Sequence, residues 1–142
     1  MRALLDVNVL LALLDADHVD HLRARAFLQQ EIGDGWASCV ITQNGFVRVI
    51  SQPSYPSPVP PSAAMARLAA ACAGERHRFW PCDMSLLDSE RIDGSRLHGP
   101  RQITDAYLLA LAVRHGGRFA TFDRSVPISA VPAARDQDLV VL

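Results

Sequence analysis

Short apolar runs alternate with longer helical ones along most of this chain. Arg2–Asp6 is a brief apolar stretch that ends in an acid, the length and context of a buried strand. The run that follows, through Leu14, has helical length, with Asn8 placed to cap it. His18–Ile32 reads as a second helix, with Leu22, Ala26 and Ile32 roughly on one face and Gly33 as its stop. Trp36–Ile41 reads as the second strand, and Thr42 as the cap of a helix carrying Phe46, Val47 and Ile50. Pro53–Pro61 holds five prolines in nine residues, which forbids helix or central strand and predicts a stiff surface connection.

Beyond the prolines, Ser62–Gly74 is alanine-rich and predicts a helix. His77–Pro81 predicts a short strand and Ser85–Glu90 a short helix. Thr104–His115 carries the fullest set of helix signals. Thr104 is the expected N-cap, Ile103 and Leu108 are spaced for a hydrophobic staple, and Leu109, Ala112 and Val113 form a stripe. Gly116-Gly117 ends it. Arg118–Phe122 and Leu139–Leu142 read as the last strands. Strands alternating with helices predict an α/β fold of three layers, a mainly parallel sheet covered by helices on both faces. Length and the absence of repeats predict a single domain over residues 1–142.

Composition narrows the chemistry. Apolar residues make up 49% and charged residues 20%, a globular balance, and the net charge of −1 provides no global basic field for nucleic acid. All fourteen basic residues are arginine. A receiver domain and a haloacid-type phosphatase both gather acids at a sheet edge, but both need a lysine that is absent here. Cys39, Cys72 and Cys82 lack metal-binding or disulfide spacing and read as small buried residues. The apolar run from Val7 to Leu14 is too short to span a bilayer, so a soluble cytoplasmic protein is expected.

Topology gives the candidate site. In a parallel sheet with helical crossovers, strand carboxyl ends and helix amino ends share one edge, where ligands of open α/β folds bind. Asp6 ends the first strand, Asp123 follows the strand Arg118–Phe122, Asp105 lies in the first turn of the helix before it, and Gln43 lies in a first helical turn after the second strand. Asp105 and Asp123 each have an ordinary structural reading, as a helix-dipole acid and a turn. Asp6 does not, because it sits among Leu4, Leu5, Val7 and Val9. Three gathered carboxylates repel unless a cation neutralises them, and oxygen-only donors select a hard ion, Mg²⁺ or Mn²⁺, suited to phosphodiester chemistry.

The segments LLDVNVLLALL, SCVITQNGFVRVIS and ITDAYLLALAVRHGGRFATFD, followed by a terminal strand, resemble the PIN domain. In particular they resemble VapC-type toxins of bacterial toxin–antitoxin pairs, over nearly the whole chain. The resemblance implies metal-binding, catalytic roles for Asp6, Asp105 and Asp123, with Asn8 as a polar support near Asp6 and Thr121 beside the metal site. It implies an endoribonuclease toxin that hydrolyses RNA, acts as a homodimer and is neutralised by a small VapB-like antitoxin. One departure is plain: Thr42-Gln43-Asn44-Gly45 has Gln43 where the family usually has glutamate. Gln43 adds no charge, which keeps a second reading open, a degenerate module that binds RNA or antitoxin without cutting. His18 and His21 read as solvated or partner-facing, and His77, His98 and His115 as structural. Arg48, Arg96 and Arg101 are surface arginines within the region that could face RNA phosphates. Trp36 and Trp80 read as core or dimer residues.

Overall fold

A computed structural model describes residues 1–142, the whole sequence. Five parallel strands form one sheet: β1 Ala3–Leu5, β2 Trp36–Ser38, β3 His77–Phe79, β4 Arg118–Thr121 and β5 Leu139–Val141, in the order β3-β2-β1-β4-β5. The helices are α1 Val7–Leu14, α2 His21–Gln30, α3 Val40–Ile50, α4 Pro61–Cys72 and α5 Ile103–Arg114.

Alternation along the strands divides the core in two. Leu4, Ala37 and Phe119 point to α5, whose residues Ala106–Ala112 are all buried. Ala3, Leu5, Trp36 and Ala120 point the other way, to Leu10 of α1, Phe27 of α2, Phe46 of α3 and Leu68 of α4. Helices on both faces of a parallel sheet make the expected three layers. Burial of α5 is wider than the stripe that its periodicity predicts, because Ile92, Val126 and Val131 from irregular segments cover its outer side. No helix is long and apolar enough to cross a membrane.

Several local expectations are corrected, most of them by a hydrogen bond that the pattern does not reveal. Asp6, not Asn8, is the N-cap of α1, its Oδ1 accepting from Val7 N at 2.7 Å. The second helix begins at His21; His18 lies before it in a turn and accepts a bond from Asp20 N. Strand β2 stops at Ser38, and Cys39 takes the N-cap position of α3. Thr42 then serves at the third helical position, where its hydroxyl accepts from Cys39 N at 3.0 Å. Thr104 does not cap α5: a short turn at Pro100–Gln102 runs straight into it, and Ile103 is a partly exposed first residue with no staple role. Ser85–Glu90 forms turns, closed by Ser85 and Asp88 side chains, and no helix. The proline segment does join α3 to α4, with Pro61 as the first residue of α4, a position that needs no donor. Gly116 has φ +66°, the left-handed geometry that ends a helix at a glycine.

Candidate acidic site at the carboxyl edge of the sheet

Asp6 follows β1 directly, and Asp123 lies two residues past β4, the neighbouring strand. Thr121, the last residue of β4, joins them. Its hydroxyl donates to Asp6 Oδ2 at 2.6 Å and accepts from Asn8 Nδ2 at 3.1 Å and from Asp123 N at 3.0 Å. Asn8 also accepts from Phe122 N at 3.2 Å, so a residue in the first turn of α1 grips the chain where it leaves β4. Thr121 is fully buried and Asp6 nearly so. This is where an apolar strand gives way to a polar knot whose donors all have acceptors.

Asp105 occupies the first turn of α5, half-buried. Its carboxyl is pushed up to about 6, first by burial and then by the negative charges of Asp6 and Asp123, and no hydrogen bond offsets the rise. Burial also raises Asp6, against the bonds from Thr121 and Val7, and Asp123 raises it further. Asp123 goes the other way: the Ser125 hydroxyl and backbone N–H, both 2.7 Å from its Oδ1, hold its carboxyl below the usual range. The three acids thus share one electrostatic neighbourhood. They do not stand at the spacing of a ready-made ligand cage. The donor set nevertheless fits a hard divalent cation: all donors are oxygens, and Asp105 is a half-buried carboxylate with no protein partner.

Gln43 makes no hydrogen bond to this knot. Its only side-chain bond runs from Nε2 to Ser38 Oγ at 3.0 Å, and Ser38 Oγ lies 2.8 Å from His77 Nε2. The helix carrying Gln43 still packs tightly beside Asp6: a Cβ on Gly45 would stand 2.4 Å from Val7 Cγ2. Only glycine allows α3 to lie so close to the start of α1. Sequence reasoning missed Ser125 and the Ser38–His77 pair. An Asp-x-Ser turn is a readable signal for Ser125, whereas 39 residues separate Ser38 from His77 and no local pattern links them.

The remaining candidates are dispersed. His21 Nδ1 bonds the Ala12 carbonyl at 2.8 Å, His115 stacks on Trp80 and reaches Asp83, and Arg96 pairs with Asp93 at 3.3 Å. Arg48 and Arg101 are exposed; Trp36 and Trp80 are buried in the core; and the three cysteines are free.

A parallel three-layer sheet with carboxylates on its carboxyl edge defines an α/β domain with an acidic site. The PIN domain model matches residues 3–132. The chain belongs to the PIN domain family. It is 65% identical to ribonuclease VapC44 of Mycobacterium tuberculosis over 142 residues, 100% of both chains. Ribonuclease VapC39 of the same organism is 42% identical over 131 residues, 92% of this chain and 94% of that protein. Among solved structures, Mycobacterium tuberculosis VapC20, described as a sarcin-ricin-loop-cleaving toxin, superposes with a TM-score of 0.62 at 15% identity. The superposition covers 94% of this chain and 98% of that one. VapBC2 from Rickettsia felis, bound to a DNA fragment from its promoter, gives 0.60 at 10% identity, covering 100% and 98%. At such identities these two structures speak for the fold alone.

Proposed function

We propose that this protein is a VapC-type endoribonuclease toxin that hydrolyses RNA phosphodiester bonds with a divalent metal ion and is neutralised by a small antitoxin. The observation that carries the reading is the pairing of a rigid knot, Asp6–Thr121–Asn8–Asp123, with the partnerless Asp105 facing it. Asp6, Asp105 and Asp123 would hold Mg²⁺ or Mn²⁺, and the bound ion would polarise a phosphodiester oxygen and acidify a water. Thr121 and Asn8 keep Asp6 in a single orientation, and Ser125 does the same for Asp123. The relatives' names support RNA as the substrate; the cytoplasm as the place of action belongs to the same proposal.

A homodimer and an antitoxin complex belong to the same reading. Leu13, Leu14 and Leu28 line a groove of about 470 Å³ between α1, α2 and α4, and Val19 and Leu22, just before and within the first turn of α2, are exposed. An amphipathic antitoxin helix suits such a surface. Gln43 favours the second reading, a degenerate binding module, because it brings no fourth charge to the edge.

The separating experiment is incubation of purified protein with RNA and Mn²⁺ or Mg²⁺, with chelator and Asp105→Asn controls. Cleavage abolished by both controls supports the toxin. RNA binding without cleavage at any metal concentration favours the degenerate module.

A further inference from the structure

Two arginines lie over aromatic rings, one at each end of β4, and they differ in what their guanidinium groups do. Arg118, the first residue of β4, stands 5.5 Å from the centroid of the Phe27 ring and donates to the Glu31 carbonyl at 2.7 Å. Its donors are engaged. Arg23 of α2 stands 5.4 Å from the centroid of Phe122, the residue that follows β4 at its carboxyl end. The one carboxylate in its reach, Asp20 Oδ1, is 3.6 Å away, longer than a hydrogen bond. Its side chain is 55% exposed.

Phe122 is itself held in place. Its N–H donates to Asn8 Oδ1 at 3.2 Å, and its side chain packs against the core that contains Leu10 and Phe27. It stands between Thr121, the centre of the polar knot, and Asp123, whose N–H bonds the Thr121 hydroxyl. Arg23 is therefore anchored on the residue next to a site acid. It pairs with none of the three site acids, since its single ion-pair contact is to Asp20.

A ring under a guanidinium occupies its face and leaves the N–H groups at its rim open. Five donors in a rigid fork match phosphate oxygens with two parallel bonds, and a side chain already seated on a ring loses little freedom when it makes them. An RNA strand at the carboxyl edge carries phosphates on both sides of the one that is cut, and the carboxylates there repel all of them. A fixed cation with open donors beside Asp123 offsets that repulsion.

We propose that Arg23, seated on Phe122, binds an RNA phosphate that flanks the scissile one and holds the strand at the acidic edge. The inference rests on the ribonuclease reading for the cutting of that strand; its placement rests on the Arg23–Phe122 contact.

Phosphate contacts do not depend on base sequence, so a labelled single-stranded RNA of mixed sequence serves as the probe. Fluorescence anisotropy follows its binding to the full-length chain across a range of salt concentrations, with Ca²⁺ in place of Mg²⁺. Wild type is compared with Arg23→Gln, Arg23→Lys and Arg76→Gln. Arg76 is exposed and directly precedes β3, on the opposite edge of the sheet, so its variant makes the same change in net charge away from the site. Arg23→Gln should weaken binding about tenfold and reduce the slope of log affinity against log salt by about 0.7, one phosphate contact on a single strand. Arg23→Lys should keep the slope but lose affinity, because a point charge replaces the stacked fork. Arg76→Gln should match wild type, and Mn²⁺ affinity should be the same in all four proteins. In cleavage assays Arg23→Gln should raise KM by the same factor as the binding loss and leave kcat within about twofold.

Unchanged affinity and slope in folded Arg23→Gln overturns the proposal and leaves this part of α2 to a protein partner. An equal loss in Arg76→Gln overturns it as an effect of net charge, and a loss of Mn²⁺ affinity in Arg23→Gln overturns it as a disturbance of the acids. Wild-type protein that binds RNA through Arg23 but cuts none with Mg²⁺ or Mn²⁺ contradicts the ribonuclease reading and leaves the phosphate contact standing.

Discussion

Thr121 Oγ1 donates to Asp6 Oδ2 across 2.6 Å, and its two acceptor positions are filled by Asn8 Nδ2 and Asp123 N. One buried hydroxyl thereby connects the ends of β1 and β4 and the first turn of α1. Thr121→Val keeps the shape, removes the donor to a nearly buried carboxylate and strands two N–H groups. A loss of about 2–3 kcal/mol is expected from urea denaturation. The RNA cleavage rate should fall as well, because Asp6 is freed to rotate.

Asp105 makes the opposite prediction for stability. Its folded carboxyl is raised to about 6 from an ordinary value of 3.8, so folding is favoured by the protonated form. This contribution is fully present below the unfolded value and is lost as pH rises through about 6. Asp105→Asn stays neutral throughout. The variant should match wild type near pH 4 and exceed it above pH 6 by about 1–2 kcal/mol, discounted for partial exposure. Urea midpoints of both proteins at the two pH values check the sign. A difference that shrinks with rising pH contradicts it.

The proline segment is tied to the body by Tyr55, whose hydroxyl donates to Asp15 Oδ2 at 2.6 Å just past the end of α1. Tyr55→Phe should cost about 1 kcal/mol in a urea titration at pH 7. Below the titration of Asp15 the cost should diminish, since the acceptor is then protonated.

Much of this architecture was legible in the sequence, for physical reasons. Strand and helix order follows from apolar run length, and the convergence of Asp6, Asp105 and Asp123 on one edge follows from parallel topology. Caps were read less well: Asn8, Thr42 and Thr104 all look like N-caps, but Asp6, Cys39 and Gln102 occupy those positions. Asn8 was diverted by a partner on β4, 113 residues away, which no local rule contains. The helix expected over Ser85–Glu90 gave way to turns, because the Ser85 and Asp88 side chains accept from backbone N–H groups two residues on and so compete with helix formation. For Gln43 the sequence identified the position, but only the structure reveals that its amide is held by Ser38.

The proposed function requires Asp6, Asp105 and Asp123 to share in holding a divalent ion. Calorimetric titration of Mn²⁺ into wild type and Asp105→Asn tests it most directly and requires no knowledge of the RNA. The account predicts binding to wild type and an affinity lower by tenfold or more in the variant, about 1.4 kcal/mol or more. Equal affinities in two folded proteins would contradict it.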